Sequence, residues 1–180
     1  MQTPFGKIAL IAVLLVSAGC ATNRPRSKSV ADESLLDRLP GHWVLTGAFD
    51  GKEANHDVDA EWVLRKKYLR LHEVSRNRTR DGQPDYEAIV LIEQNPRSKE
   101  CGCLWLDSTV SGGLTSPVTV IGRGKPKGSA IPFVFQFSGD VRFNTTFIYA
   151  SDTDSWQWIM DSEEKGKIEP FGRATLVRKK

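Results

Sequence analysis

From Gly41 onward, apolar residues recur at every second position, and this alternation constrains the fold more than any other feature of the chain. Clusters of Gly, Pro, Asn or Asp interrupt the alternation about every ten residues. This pattern is typical of short strands with one apolar face, and it predicts an antiparallel all-β fold. The predicted strands are 42–49, 60–64, 68–74, 86–94, 101–107, 118–123, 132–137, 141–149, 156–160 and 173–178.

Nine or ten strands joined to their neighbours in sequence close most simply into an up-and-down β-barrel, because closure removes exposed strand edges. The three-residue link 138–140 between two aromatic strands predicts a tight hairpin. Before the first strand, Leu35, Leu36 and Leu39 have near-helical spacing and precede Pro40, which predicts one short helix over 34–38. We therefore expect a single barrel domain over residues 35–180.

Large side chains concentrate on single faces of the later strands. Alternate positions place Phe133, Phe135 and Phe137 together, and likewise the sets Phe143, Thr145, Phe147, Tyr149 and Trp156, Trp158, Met160. These faces predict one continuous apolar interior. The interior is either a filled core or a lumen with room for a small apolar ligand.

The N-terminus carries a targeting signal of the lipoprotein type. Lys7 precedes a mostly apolar run over 8–16, and small residues at 17–19 lead directly to Cys20. The run is too short for a membrane-spanning helix, which needs about 20 apolar residues. We expect residues 1–19 to be removed, Cys20 to be acylated, and residues 20–34 to form a polar tether between the lipid and the barrel.

This signal predicts a cell-envelope protein that is anchored to a lipid bilayer through Cys20. Because Ala21 and not aspartate follows the cysteine, we expect the outer membrane, facing the periplasm, if the organism is Gram-negative. The formal net charge of +3 gives no reason to expect a nucleic-acid partner. The sequence identifies no protein partner.

Two groups of residues invite a metal-site interpretation, but the sequence predicts no metal or cofactor. Cys101 and Cys103 are about 6.5 Å apart on an extended strand, which leaves free thiols, a strained disulfide or a redox or metal site open. A zinc site needs further ligands, and no second cysteine pair follows. The acidic stretch 56–61 could hold a hard cation, although we expect a solvated loop there.

The opening Gly41-His42-Trp43, the many antiparallel strands after it and an arginine on the last strand resemble the calycin superfamily of lipocalins, fatty-acid-binding proteins and bacterial lipocalin-like proteins. The further order Trp62, 67–69, 85–87, Trp156-x-Trp158 and an arginine within 173–178 is similar to a bacterial lipocalin-like family of unknown function, over residues 38–178. The resemblance implies that Gly41 and Trp43 close one end of the barrel. It implies that Trp43 stacks on Arg173 or Arg178.

Two family features do not transfer. The haem-binding branch opens on a longer glycine-rich motif and has a late histidine ligand, whereas none of the three histidines here is late in the chain. Fatty-acid-binding proteins hold a ligand carboxylate with Arg-x-Tyr on the last strand, and here Arg173-Ala174-Thr175 lacks the tyrosine. The resemblance therefore implies no haem, and it leaves Arg173 as a candidate contact to a ligand carboxylate.

The main functional hypothesis is a tethered barrel that binds or carries a small apolar or amphipathic molecule. The candidate ligand-contacting residues are Trp62, Tyr68, Arg70, His72, Phe133, Phe135, Phe147, Trp156, Trp158 and Arg173. If the face with Arg70 and His72 points outward, Leu69 and Leu71 fill the core instead.

The sequence is compatible with two other classes of function. A filled barrel would act through its outer surface as an envelope interaction module. A barrel-based hydrolase or isomerase would need an internal histidine or carboxylate beside a cavity. No nucleophile elbow, phosphate loop or zinc-protease motif occurs in the sequence, so no catalytic residue is predicted.

Overall fold

The computed structural model describes residues 34–109, 113–115 and 119–180. These residues form ten strands in one closed antiparallel barrel, together with the short 3₁₀ helices Leu35–Arg38 and Gly113–Thr115. In chain order the strands β1 to β10 are Gly41–Phe49, Lys52–Val63, Tyr68–Ser75, Glu87–Gln94, Cys101–Asp107, Ile121–Gly124, Ala130–Gln136, Val141–Ala150, Ser155–Glu164 and Lys167–Arg178. Each strand pairs with its sequence neighbours and β1 pairs with β10, which confirms the predicted all-β, up-and-down barrel.

Two-residue turns make several strands longer than the sequence predicts. Asp50 and Gly51 both have positive φ, 47° and 72°, as the hairpin turn that matches strand twist requires. As a result β2 already begins at Lys52. The expectation of a solvated loop over 56–61 is therefore wrong, because those residues are paired with β1 and β3. The predicted tight hairpin at 138–140 is present, with Phe137 N–H donating to the carbonyl of Val141 at 2.9 Å.

The N-terminal 3₁₀ helix covers one end of the barrel. Ser34 caps it, since its hydroxyl accepts from the Leu36 N–H while the Asp37 carboxylate accepts from the Ser34 N–H. Leu36 and Leu39 are fully buried against the core. The predicted short helix is thus confirmed, in the tighter 3₁₀ form.

At this closed end, Trp43 stacks on an arginine of the last strand. The arginine is Arg178, whose guanidinium lies 4.0 Å from the Trp43 ring centroid. The same guanidinium donates to the Pro40 carbonyl at 3.0 Å and to Asp154 at 2.5 Å. Gly41, at φ 139°, makes room for it, because a Cβ there would lie 2.2 Å from Nη1 of Arg178.

The half of the interior next to the closed end is filled with large side chains. Phe147 has its ring centroid 4.6 Å from that of Trp158 and meets Phe133 edge to face at 6.0 Å. Aromatic pairs in such geometries stabilise a core beyond their buried area. Residues of this filled half with no more than 1% exposure include Trp43, Leu45, Leu69, Leu71, Ile131, Phe133, Phe147, Trp156 and Trp158.

The predicted signal peptide, the acylation site Cys20 and the tether up to residue 33 lie outside the described residues. In the part of the chain that is described, neither short helix has the length and apolar character needed to cross a bilayer.

Candidate ligand-binding site

The opposite end of the barrel contains a cavity of about 600 Å³. It lies where β1 ends and β10 begins, at the edge opposite Trp43 and Arg178. Most of its wall is apolar and aromatic, and the contributing side chains are Phe49, Ala54, Trp105, Val120, Phe135, Phe137, Phe143, Met160 and Phe171. The cavity is within the size range of small-molecule sites, which are also mostly apolar.

A buried histidine and a buried carboxylate adjoin each other on the cavity wall. Nδ1 of His56, on β2, lies 2.6 Å from Oε1 of Glu73, on β3. His56 is 6% exposed and Glu73 only 1%. The second carboxylate oxygen of Glu73, Oε2, has no hydrogen-bond partner among the described residues. A buried polar atom without a partner is costly, so this atom marks either a functional position or a site of local destabilisation.

Burial raises the pKa of the Glu73 carboxyl above its usual value, and the nearby negative charge of Asp107 acts in the same direction. The hydrogen bond and charge of His56 act in the opposite direction and only partly offset the desolvation. A carboxyl group with a raised pKa beside a cavity is a recognised sign of a functional site.

Two aromatic rings pack near the histidine. Tyr86 stacks on His56 with ring centroids 5.4 Å apart, and the ring centroid of Phe49 lies 6.2 Å from that of His56 in a tilted arrangement. The indole N–H of Trp105 donates to the Tyr86 hydroxyl at 3.3 Å. Burial and the charge of Glu73 raise the pKa of Tyr86, so the phenol stays neutral and keeps its proton.

The remaining charged side chains that line the cavity are mostly acidic. They comprise Glu53, Asp85 and Asp107, with Lys52 as the cation. The Asp107 carboxylate accepts hydrogen bonds from the N–H and hydroxyl of Thr109, at 2.8 and 2.5 Å. With Glu73 included, the lining carries more carboxyl groups than cationic groups, which favours positively charged ligands.

The carboxylates of the 56–61 stretch do not gather into a cation site. Asp57 receives two hydrogen bonds from Arg76 on the outer surface, Asp59 lies 2.5 Å from His42, and Glu61 pairs with Arg70. Within residues 34–109, 113–115 and 119–180, no group of three or more His, Cys, Asp or Glu side chains is arranged to hold a metal ion.

Of the ten candidate ligand-contacting residues, Phe135 lines the cavity. Four others lie inside the barrel but in its filled half, where they are packed by neighbours: Phe133, Phe147, Trp156 and Trp158. Trp62 faces inward at the closed end, and its indole N–H donates to Asp37 of the N-terminal helix at 3.0 Å.

The other four candidates lie on the outer surface. On β3 the buried positions include Leu69 and Leu71, so the alternating residues Tyr68, Arg70 and His72 face outward. His72 lies 2.7 Å from Glu87 on the neighbouring strand. The side chain of Arg173 also faces outward and donates to Asp161 and to the Met160 carbonyl. Expecting these four side chains in the interior is therefore wrong for this barrel.

Cys101 and Cys103 are both buried and carry free thiols. Their side chains face inward on β5, and burial raises the pKa of each thiol. Neither lines the cavity. Of the three alternatives left open by the sequence, the structure has the free thiols. Their raised pKa values favour the protonated form.

The sequence does not point to His56 and Glu73, the polar wall of the cavity, because both residues continue the apolar faces of their strands. His56 faces the same way as Ala54, Val58 and Ala60 on β2, but a loop expected over 56–61 gives the alternation no meaning there. Glu73 continues the inward series of Leu69 and Leu71. A carboxylate at an apolar position of a strand is the sequence feature that could have identified the site.

No protein-family model matches this chain, and no curated protein matches it either. The closed antiparallel barrel is the fold that the calycin resemblance implies. A fold of this kind hosts many functions, so the cavity and its side chains are the features that bear on function.

Proposed function

We propose that this protein binds a small amphipathic molecule in the cavity at the open end of its barrel. The observation that carries this proposal is the cavity itself, about 600 Å³ of space walled largely by phenylalanine, methionine and tryptophan. A barrel that acted only through its outer surface would be expected to fill this space with side chains, as the other half is filled. The cavity therefore favours a binding function over a filled interaction module.

The expected affinity follows from the apolar wall. A ligand that buries about 300 Å² of apolar surface would gain about 7 kcal/mol at about 25 cal/mol per Å². The loss of translational and rotational freedom offsets part of this gain. We therefore expect dissociation constants in the micromolar range or weaker, and titrations should extend to about 1 mM.

We also propose that the barrel works beside a membrane. The lipoprotein-type signal ending at Cys20 supports an acylated, envelope-located protein, and the polar segment after it would let the barrel reach amphipathic molecules that partition into lipid. If the organism is Gram-negative, the outer membrane is favoured because Ala21 follows the cysteine. Metabolic labelling with an alkyne fatty acid tests this, since Cys20→Ser should abolish the label.

Mass spectrometry of the full chain, purified gently from its native membranes, tests the binding function. We expect a stoichiometric small molecule in the native spectrum that organic extraction releases. The purified protein should also bind N-phenyl-1-naphthylamine, a neutral apolar fluorophore, in a saturable way. The proposal is overturned if nothing co-purifies and the fluorophore shows no saturable binding.

One observation favours a second function, catalysis in the same cavity. A histidine oriented by a carboxylate is the arrangement of a general base, and His56 and Glu73 have it at 2.6 Å beside the cavity. A series of 4-nitrophenyl esters with acyl chains of increasing length provides the test. Hydrolysis that His56→Gln abolishes would support catalysis, whereas equal rates for both proteins would exclude it for these substrates.

A further inference from the structure

We propose that the polar wall of the cavity recognises a protonated amine, so that the ligand is a small amphipathic cation with a primary or secondary ammonium group on an apolar body. This inference depends on the proposed binding function and assigns its ligand class. Three independent features of the cavity lead to it: the hydrogen-bond chemistry of His56 and Glu73, the aromatic rings around them, and the charge of the lining.

The first feature is an excess of hydrogen-bond acceptors. Nδ1 of His56 lies 2.6 Å from Oε1 of Glu73, and a neutral imidazole that donates Nδ1–H to that oxygen presents a lone pair at Nε2. Glu73 is only 1% exposed, so little water reaches its carboxyl group. Even so, Oε2 accepts no hydrogen bond from any of the described residues. A ligand group with several N–H donors suits this pair, whereas a carboxylate has only acceptors to offer.

The second feature is the aromatic surroundings. Tyr86 stacks against His56, Phe49 packs near the same imidazole in a tilted arrangement, and the indole N–H of Trp105 donates to the Tyr86 hydroxyl. Aromatic faces attract cations, and the attraction is larger in a desolvated site than at a surface. An ammonium group near Glu73 would therefore meet both a carboxylate and the negative faces of aromatic rings.

The third feature is the charge of the lining. Four carboxyl groups, Glu53, Glu73, Asp85 and Asp107, line the cavity with one lysine, Lys52. No arginine lines it in the described part of the chain, and Arg173 is on the outer surface. An anionic head group would meet repulsion from this lining, whereas a cation would be attracted both on approach and when bound.

A head-group series on the unaltered full chain tests the ligand class. Octylamine, octan-1-ol and octanoate share one apolar chain, and each is titrated at pH 7 for displacement of bound N-phenyl-1-naphthylamine. We expect octylamine to bind at least tenfold more tightly than either of the others. Tenfold is about 1.4 kcal/mol, a modest demand for a buried charge pair.

Glu73→Gln identifies the residue responsible, because it removes the negative charge with little change in size. Octylamine affinity should fall at least tenfold, while octan-1-ol affinity should stay within about twofold. Glu87→Gln is the matched control, since Glu87 is also paired with a histidine, His72, at 2.7 Å but on the outer surface. We expect this control to retain the preference for octylamine in full.

The outcomes separate the two proposals. If the fluorophore binds but all three head groups compete equally, or if Glu73→Gln leaves the preference intact, the amine inference is overturned and the binding function stands. If octanoate is preferred, the inference is likewise overturned. If neither the fluorophore nor any head group binds, the binding function fails and the amine inference fails with it. The comparison on the unaltered protein holds even if Glu73→Gln does not fold.

Discussion

Replacing each of two phenylalanines on one strand by alanine should affect stability and ligand affinity in opposite order. Phe133 and Phe135 both face inward on β7, two residues apart, so they share a strand, a face and a side-chain type. Phe133 is 1% exposed and packs edge to face against Phe147 in the filled half of the interior. Phe135 lines the cavity and lies over Gly122. The pair thus compares the two halves of the barrel directly.

The magnitudes follow from what surrounds each ring. Removing a phenylalanine that is packed on all sides lowers the free energy of unfolding by about 3–5 kcal/mol, through lost transfer energy and a new cavity. Phe135 borders the cavity, so fewer dispersion contacts are lost when its ring is removed. We expect Phe135→Ala to lower the free energy of unfolding by about 1–2 kcal/mol.

Ligand affinity should show the reverse order. Phe135→Ala removes about 50 Å² of apolar wall, which at about 25 cal/mol per Å² amounts to about 1.2 kcal/mol, or nearly a tenfold weaker dissociation constant. Phe133→Ala should leave the dissociation constant within about twofold. Urea unfolding followed by circular dichroism gives the stabilities, and titration with N-phenyl-1-naphthylamine gives the affinities. Equal losses of stability and affinity in the two variants would refute the division into a filled and a hollow half.

Three further substitutions test particular contacts. Gly122→Ala should weaken fluorophore binding several-fold, because the new Cβ would lie 2.6–2.8 Å from the Phe135 ring and displace it; unchanged affinity in the same titration would contradict this. Arg178→Ala should lower the free energy of unfolding by about 2–3 kcal/mol in urea, since the contact with Trp43 and several hydrogen bonds are lost, with fluorophore affinity unchanged. Because burial raises the pKa of Glu73, its contribution to stability is present below the unfolded value near 4.5 and is lost as the pH rises through the folded value. The free energy of unfolding of Glu73→Gln minus that of the unaltered protein, measured in urea, should therefore increase from pH 4 to pH 8. A difference that stays constant over this range would argue against a raised pKa.

The fold could be predicted because the alternation extends over the whole barrel. Period-two patterning with regular turn residues specifies antiparallel strands, and closure follows from the need to pair their edges. The closed end could be predicted in outline from Gly41 and Trp43. The choice of Arg178 over Arg173 depends on register, since Arg178 pairs with Trp43 and Arg173 with Ala48. Arg178 is therefore the arginine at the closed end.

The site could be predicted less well, because alternation alone does not say which face is inside. On β3 the outward series Tyr68, Arg70 and His72 and the inward series Leu69 and Leu71 are equally regular. Alternation also gives no position along the barrel axis. Phe133 and Phe135 have identical patterns in sequence, yet only the second reaches the cavity.

The contrast between two histidine–carboxylate pairs explains why Glu73 is better interpreted as a recognition group than as a structural one. His72 and Glu87 form their pair on the outer surface, where water screens the charges and the pair contributes little to stability. His56 and Glu73 form the same kind of pair inside the barrel. There an ionised carboxylate carries a desolvation cost, and one of its oxygens lacks a hydrogen-bond donor. A leucine at position 73 would continue the face formed by Leu69 and Leu71 without that penalty. The filled half of the barrel supplies stability that can offset it, and a cationic ligand would provide the missing donor and opposite charge, so the local destabilisation would be relieved on binding.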